Sequence, residues 1–340
     1  MVIAKKFVLA KHFEGHPKPS DVRIETETLP AIQDGEFLAQ AEYLSVDPMA
    51  RVFSATYLIG TTLLAWQVAK IIESKNSRFP VGKRIAGILG WRTHTIVNMK
   101  NITGRNIMDQ PPYLLPEEDM VGLPPSLAVG MLGMPGNMAY FGLLEICKPK
   151  ANEVLVVTAA GGSVGSHVGQ IGKIMGLKVI GITGSNKKCR WITEELGFDH
   201  AINYKRQNVA AELKKFAPEG VDCYFDNVGG EISSTVLSQM NTCGRVAACG
   251  YISAYNSDPS SLPKATIIQP AVIFNQLKIE GMVFSQWMHR WFEGIYQNAK
   301  WIKEGKLKYR ETITYGFENM FHAFNGLLKG KNVGKAIVKV

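Results

Sequence analysis

The chain has 340 residues, 46% hydrophobic and 20% charged; this fits a soluble globular protein of two domains and excludes disordered, fibrous and disulfide-stapled classes. A chain of this length buries enough apolar surface to fold without a structural metal or a disulfide. Thirty-eight basic against twenty-nine acidic residues give a net charge of +9, scattered with no basic run, which predicts a solvated surface that favours anionic ligands and no nucleic-acid-binding arm.

Near the N-terminus only Phe7-Val8-Leu9-Ala10 is apolar before Lys11, too short for a signal peptide. No later run reaches membrane-spanning length, so the expectation is a cytoplasmic protein with no membrane partner. The first part reads as β-rich, with short apolar segments at 35–43 and 68–73 between proline and glycine punctuation. Pro111-Pro112, Pro116 and Pro124-Pro125, with Glu117-Glu118-Asp119 among them, predict an irregular surface connection. After about Leu127 the pattern changes. The continuous apolar run Val154–Thr158 predicts a strand covered on both faces, and a helix over 164–175 follows. Strands at Lys178–Thr183, 201–204, 221–227 and 245–249 then alternate with helices at 186–196, Val209–Phe216 and 231–240. That alternation predicts an α/β fold with a parallel, doubly wound sheet. One more strand is expected over 277–284 and a long helix over 287–304. The remainder predicts a strand, a helix over 317–328 and a final strand over 336–340, returning to the first domain. The expected domains are therefore 1–128 with 305–340, and 129–304.

The stretch Ala159-Ala160-Gly161-Gly162-Ser163-Val164-Gly165 falls at a strand-to-helix junction and fits a dinucleotide-binding turn with Ala160 in the first glycine place. Gly162 lets the backbone approach a pyrophosphate, and Gly165 lets the helix pack close to the sheet. The helix N-terminus then offers free N–H groups and a positive dipole. The same residues spell Gly161-x-Ser163-x-Gly165, the nucleophile elbow of serine hydrolases, with Asp226 and His289 or His322 available as partners. The next strand weighs for the dinucleotide. An acid that would hold a ribose 2′-OH is missing from Thr183-Gly184-Ser185-Asn186-Lys187-Lys188. Two lysines in the first turn oppose the helix dipole unless an anion sits between them, and the NADPH 2′-phosphate is such an anion. The alternative is a pair of solvated lysines.

Cys147, Cys189, Cys223, Cys243 and Cys249 include no Cys-x-x-Cys, and their odd number predicts a reducing compartment. None of the seven histidines has metal-site spacing, so no metal is expected; His94 reads as a strand-end residue with a backbone partner. Hydrogen-bond donors must then stabilise any developing oxyanion.

Longer stretches carry a resemblance. They include Val46-Asp47-Pro48-x-x-Arg51, Gln67-Val68-Ala69-Lys70, Gly90-Trp91-x-Thr93-His94 and Gly133-Met134-Pro135-Gly136. Segments 139–146, 159–166, 222–231 and 316–320 follow, then Leu328-Lys329-Gly330-x-Asn332-x-Gly334-Lys335. Over essentially its whole length the chain resembles the prostaglandin reductase (leukotriene B4 12-hydroxydehydrogenase) family of zinc-independent medium-chain dehydrogenases/reductases. The resemblance implies a GroES-like catalytic domain joined to a Rossmann domain, usually in a homodimer. It implies NADPH held by Gly162-Ser163-Val164-Gly165, Lys188, Tyr204, Asn227, the loop Cys249-Gly250-Tyr251-Ile252-Ser253-Ala254-Tyr255, Met282-Val283-Phe284 and Asn332. Tyr204, Asn227 and Asn332 also read as strand-end or turn residues, and Tyr255 as an exposed loop tyrosine. By the same resemblance the reaction is hydride transfer to the β-carbon of an α,β-unsaturated ketone or aldehyde, an enone or another lipid-derived carbonyl, with Tyr255 stabilising the enolate. The chain departs from the family at Met49, where relatives carry an aromatic residue, at Ala65-Trp66, where they have Gly-Gln, and by extra length between Asn101 and Gly122. A serine hydrolase and a non-enzymatic NADPH-binding protein remain the alternatives.

Overall fold

The computed structural model describes residues 1–102, 104, 109–258 and 266–340. The backbone divides into two compact units, Met1–Gly133 with Glu311–Val340, and Met134–Arg310.

The first unit opens with β1 (Val2–Leu9) and β2 (Val22–Leu29), an antiparallel pair. It continues with β3 (Glu36–Ser45), the short α1 (Met49–Phe53), β4 (Trp66–Ser74), β5 (Arg84–Ile88), β6 (His94–Asn98) and β7 (Tyr113–Leu114). β7 pairs with β5, so the proline-interrupted stretch is not irregular throughout. Within the extra length after Asn101, residues 103 and 105–108 lie outside the described residues.

The second unit holds α2 (Met134–Phe141), β8 (Val154–Thr158), α3 (Ser163–Ile174), β9 (Lys178–Thr183), α4 (Asn186–Arg190), β10 (His200–Asn203), α5 (Val209–Phe216), β11 (Val221–Asp226), α6 (Gly230–Leu237), β12 (Met240–Ala248), α7 (Gln269–Phe274), β13 (Lys278–Gly281) and α8 (Trp291–Lys303). Among the described residues its strands form a six-stranded parallel sheet in the order β10-β9-β8-β11-β12-β13. Val156, Ile180, Ile182, Ile202, Tyr224 and Val246 pack from the strands against Leu213 of α5 and Val236 of α6. Helices cover these strands, which is why they read as unbroken apolar runs.

Two expectations fail locally. The strand foreseen over 277–284 ends at Gly281, and Phe284 opens a helical turn. The long helix begins at Trp291 because Trp287 departs from helical geometry (φ −116°, ψ 22°). Both regions carry closely spaced large apolar residues, which fit strand and buried helix alike.

The chain then completes the first unit with β14 (Glu311–Tyr315), α9 (Met320–Leu328) and β15 (Lys335–Lys339). β15 runs parallel to β14 and antiparallel to β3, with Ile337 opposite Ser45. Phe7, Trp91, Phe317 and Phe324 share one core; the Phe7 and Trp91 rings meet edge-on at 5.6 Å. At the edge of that core Lys335 is buried, its Nζ 2.6 Å from both Asp47 Oδ1 and Ser45 Oγ. This ion pair ties β15 to the turn that starts α1.

His167 of α3 is fully buried, its Nε2 3.2 Å from Asn298 Oδ1 of α8. Burial lowers its pKa from 6.5 to about 4. The folded state therefore keeps a neutral imidazole, and the unfolded chain takes up a proton first. The resulting stability is complete above pH 6.5 and is lost as pH falls from 6.5 towards 4, by about 3 kcal/mol. The measurement is urea unfolding of the wild type and His167→Gln across that range. The stability difference between them should shift in the variant's favour as pH falls; a difference independent of pH would refute the assignment.

Candidate active site

The carboxyl ends of the parallel strands bring most of the expected residues of the second unit to one edge of its sheet. β8 ends at Thr158, and the turn that follows places Ala159 in the left-handed region (φ 51°). The Gly162 N–H closes the turn on Ala159 O at 2.9 Å. Gly165 has no room for a side chain: a Cβ there would sit 2.5 Å from Ala159 O. α3 can therefore start close against the strand end. Gly162 caps it without a side chain, which leaves the first-turn N–H groups of Ser163, Val164 and Gly165 without intrahelical partners.

Lys188 lies over this turn, its Cδ 2.7 Å from where a Cβ on Gly161 would be. The Ser185 hydroxyl accepts the Lys188 backbone N–H at 3.2 Å and fixes the start of α4. Burial, then the positive charge of Lys205, holds the Lys188 pKa below its ordinary value. Tyr204 follows β10 and packs its ring against Gly184, with the Lys205 ammonium 5.9 Å from the ring centroid. Lys188 thus lies by the turn that opens α3, with Lys205 and the Tyr204 phenol nearby, an arrangement that an anion stabilises. Sequence reasoning missed Lys205; its one local signal was its place next to Tyr204.

The other half of the edge is built on β11 and β12. Asp226 closes β11, and its Oδ1 accepts from the Thr158 hydroxyl at 3.1 Å, from Val228 N at 2.9 Å and from Gly229 N at 3.0 Å. Asn227 is fixed twice, by its N–H to Thr158 Oγ and by its Nδ2 to Thr158 O, each at 2.8 Å. The loop 249–255 docks on this turn: Cys249 N and Gly250 N donate to Asp226 O, Ile252 N to Asn227 O, and Ser253 N to Val228 O. Within the loop the Tyr251 and Tyr255 rings meet edge-on at 4.8 Å, and the Tyr255 hydroxyl folds back over Gly250. Burial pushes the Tyr255 hydroxyl up to about 12, while a backbone hydrogen bond from Tyr251 acts the other way. The Cys249 thiol is also raised to about 12, by burial and then by Asp226. Met282 and Phe284 turn their side chains into the interior, whereas Val283 between them is exposed. Asn332 belongs to the first unit, where its Nδ2 donates to Gly334 O at 2.8 Å.

The hydrolase alternative loses its acid, because the Asp226 carboxylate orients a backbone turn and the Thr158 hydroxyl. The partner foreseen for His94 is also corrected: its Nδ1 lies 3.1 Å from the Thr93 hydroxyl, a side chain rather than the backbone.

Residues 5–104 match the family described as N-terminal domain of oxidoreductase, and residues 163–301 the family described as zinc-binding dehydrogenase. Prostaglandin reductase 1 of Bos taurus is 46% identical over 100% of both chains. The chain belongs to the prostaglandin reductase family of medium-chain dehydrogenases/reductases. A further relative, 2-alkenal reductase (NADP(+)-dependent) of Nicotiana tabacum, is 33% identical over 99% of this chain and 97% of its own. CurA of Vibrio vulnificus, solved in complex with NADPH, superposes with a TM-score of 0.88 at 34% identity over 99% of both chains. Among the described residues no group of three or more His, Cys, Asp or Glu side chains is placed to hold a metal ion. Of the chain's departures from the family pattern, Ala65 and Trp66 are buried inside the first unit, while Met49 is half-buried at the start of α1.

Proposed function

We propose that this chain reduces the carbon–carbon double bond of α,β-unsaturated ketones and aldehydes with NADPH. The observation that carries the reading is Lys188 lying over the turn that opens α3, with Lys205 and Tyr204 close by. NADPH, when bound, supplies the hydride for the β-carbon. The N–H groups of Ser163, Val164 and Gly165 suit its pyrophosphate, with Gly162 admitting close backbone approach. Lys188 and Tyr204 suit its 2′-phosphate. Asn227, the loop 249–255, residues 282–284 and Asn332 complete the proposed set. Since Met282 and Phe284 face inward, their contribution would come from the backbone. Tyr255 is the proposed catalytic residue. With its pKa raised to about 12 the phenol stays protonated at neutral pH and can donate to the oxygen of a developing enolate.

A cytoplasmic setting is part of the proposal, supported by five free cysteines. A homodimer is proposed as well. Among the described residues β13 is an outer strand of its sheet with all four residues exposed, and Ile273 and Phe274 of α7 are 67% and 79% exposed. An unpaired strand edge near exposed apolar side chains is a template for pairing with a second copy.

Lys188→Ala should raise the NADPH dissociation constant about tenfold or more, from the loss of about 1.5–3 kcal/mol of charge-assisted bonding, and leave NADH binding nearly unchanged. Equal weakening of both cofactors, read by fluorescence titration, would sink the assignment. Tyr255→Phe keeps the ring and should slow single-turnover NADPH oxidation by up to ~10²-fold while NADPH binds normally. Hydride transfer at the wild-type rate would make Tyr255 a packing residue. Light scattering should find a dimer that Phe274→Glu converts to monomer; a monomeric wild type would end the dimer proposal.

A further inference from the structure

The loop that carries Tyr255 is anchored by backbone hydrogen bonds to one short turn. Three successive carbonyls, Asp226 O, Asn227 O and Val228 O, accept N–H groups from Cys249, Gly250, Ile252 and Ser253, and the Ser253 hydroxyl adds a second bond to Val228 O at 2.6 Å. The turn itself is held by side-chain groups at the ends of two neighbouring strands. Asp226 Oδ1 gathers the Thr158 hydroxyl and the amides of Val228 and Gly229. The Thr158 hydroxyl, donating to Asp226, accepts the Asn227 N–H. Thr158 is fully buried and Asp226 is 6% exposed, so water does not compete for these bonds. A buried carboxylate with three donors is costly to disturb, and its bonds are charge-assisted.

We propose that Asp226 and Thr158 form a positioning pair that sets the conformation of the 249–255 loop, and through it the place of the Tyr255 hydroxyl. The proposal rests on the reading of Tyr255 as the enolate donor for its kinetic consequence, but not for its structural one. Neither side chain needs to meet the substrate. The Asp226 carboxylate fixes where the three carbonyls point, and the carbonyls fix the loop. Displacing a catalytic group by about 1 Å can cost up to 10²-fold in rate, so the effect of the pair on turnover should lie between about tenfold and 10²-fold.

The test joins amide hydrogen exchange on the ligand-free chain to single-turnover hydride transfer, for Asp226→Ala, Asp226→Asn, Tyr255→Phe and the Asp226→Ala/Tyr255→Phe double variant. Asp226→Ala should lose exchange protection at Cys249, Gly250, Ile252 and Ser253 while β8 and β9 keep theirs. It should also transfer hydride between about tenfold and 10²-fold more slowly. Asp226→Asn retains an oxygen acceptor and should recover most of both losses. The double variant should be no slower than the slower single variant, because both changes act on one hydroxyl. Protection unchanged at the loop, or lost equally across the whole unit, overturns the proposal. So do rate losses that multiply in the double variant. If Tyr255→Phe alone reacts at the wild-type rate, the donor reading falls, and the exchange data still decide the anchoring. Should Asp226→Ala fail to fold, Thr158→Val, which removes only the hydroxyl, replaces it in every arm.

Discussion

A hydroxyl at the end of a buried strand links the two halves of the edge proposed to bind the nucleotide. In the second unit the strand order reverses between β8 and β11, and the connections after the two strands leave in different directions. Adjacent strand ends therefore diverge where a ligand crevice is expected. Thr158 closes that divergence by donating to Asp226 and accepting from Asn227. The glycine-rich turn begins one residue after Thr158, and the Asn227 turn one residue after Asp226. A single buried contact sets the spacing of both.

The first unit solves a comparable problem with charge. Lys335 and Asp47 lie 288 residues apart in sequence, and their contact fastens β15 to the turn before α1. Removing either partner would leave a buried charge without its counter-ion, a loss of about 3–5 kcal/mol in comparable pairs. An apolar pair of similar volume could hold the strand as firmly. The ionic pair adds geometry, because Lys335 Nζ also reaches Ser45 Oγ and Val46 O and so fixes the direction of the turn that presents Met49.

Much of this was legible in the sequence where the signal is local. Val154–Thr158, Lys178–Thr183 and Val209–Phe216 occur with the bounds their patterns predict, because apolar runs and amphipathic spacing are properties of a few neighbouring residues. The segment 277–284 misled because Met282 and Phe284 are apolar for burial beneath a turn, not for strand pairing. The cofactor edge was only partly visible. Lys188 was exposed as a candidate by the missing acid on its strand, but Lys205 reaches it only after α4 and β10 fold back. Nothing local in the sequence marks the Thr158 side chain, and Asp226 reads there only as a hydrolase acid. The bond that gives both their place spans 68 residues, and no spacing rule reports it.

β15 sits between β14 and β3, yet it is made from residues 335–339. On a ribosome all the strands of the second unit emerge before it. The second unit can thus close while the first still lacks an inner strand, with the Tyr43–Ser45 end of β3 unpaired on the side that β15 will take. An unpaired edge is an aggregation hazard for as long as it persists. Any extension or truncation near residue 339 therefore acts on the half of the molecule whose synthesis began earliest, and its damage would show first in yield during expression rather than in the second unit.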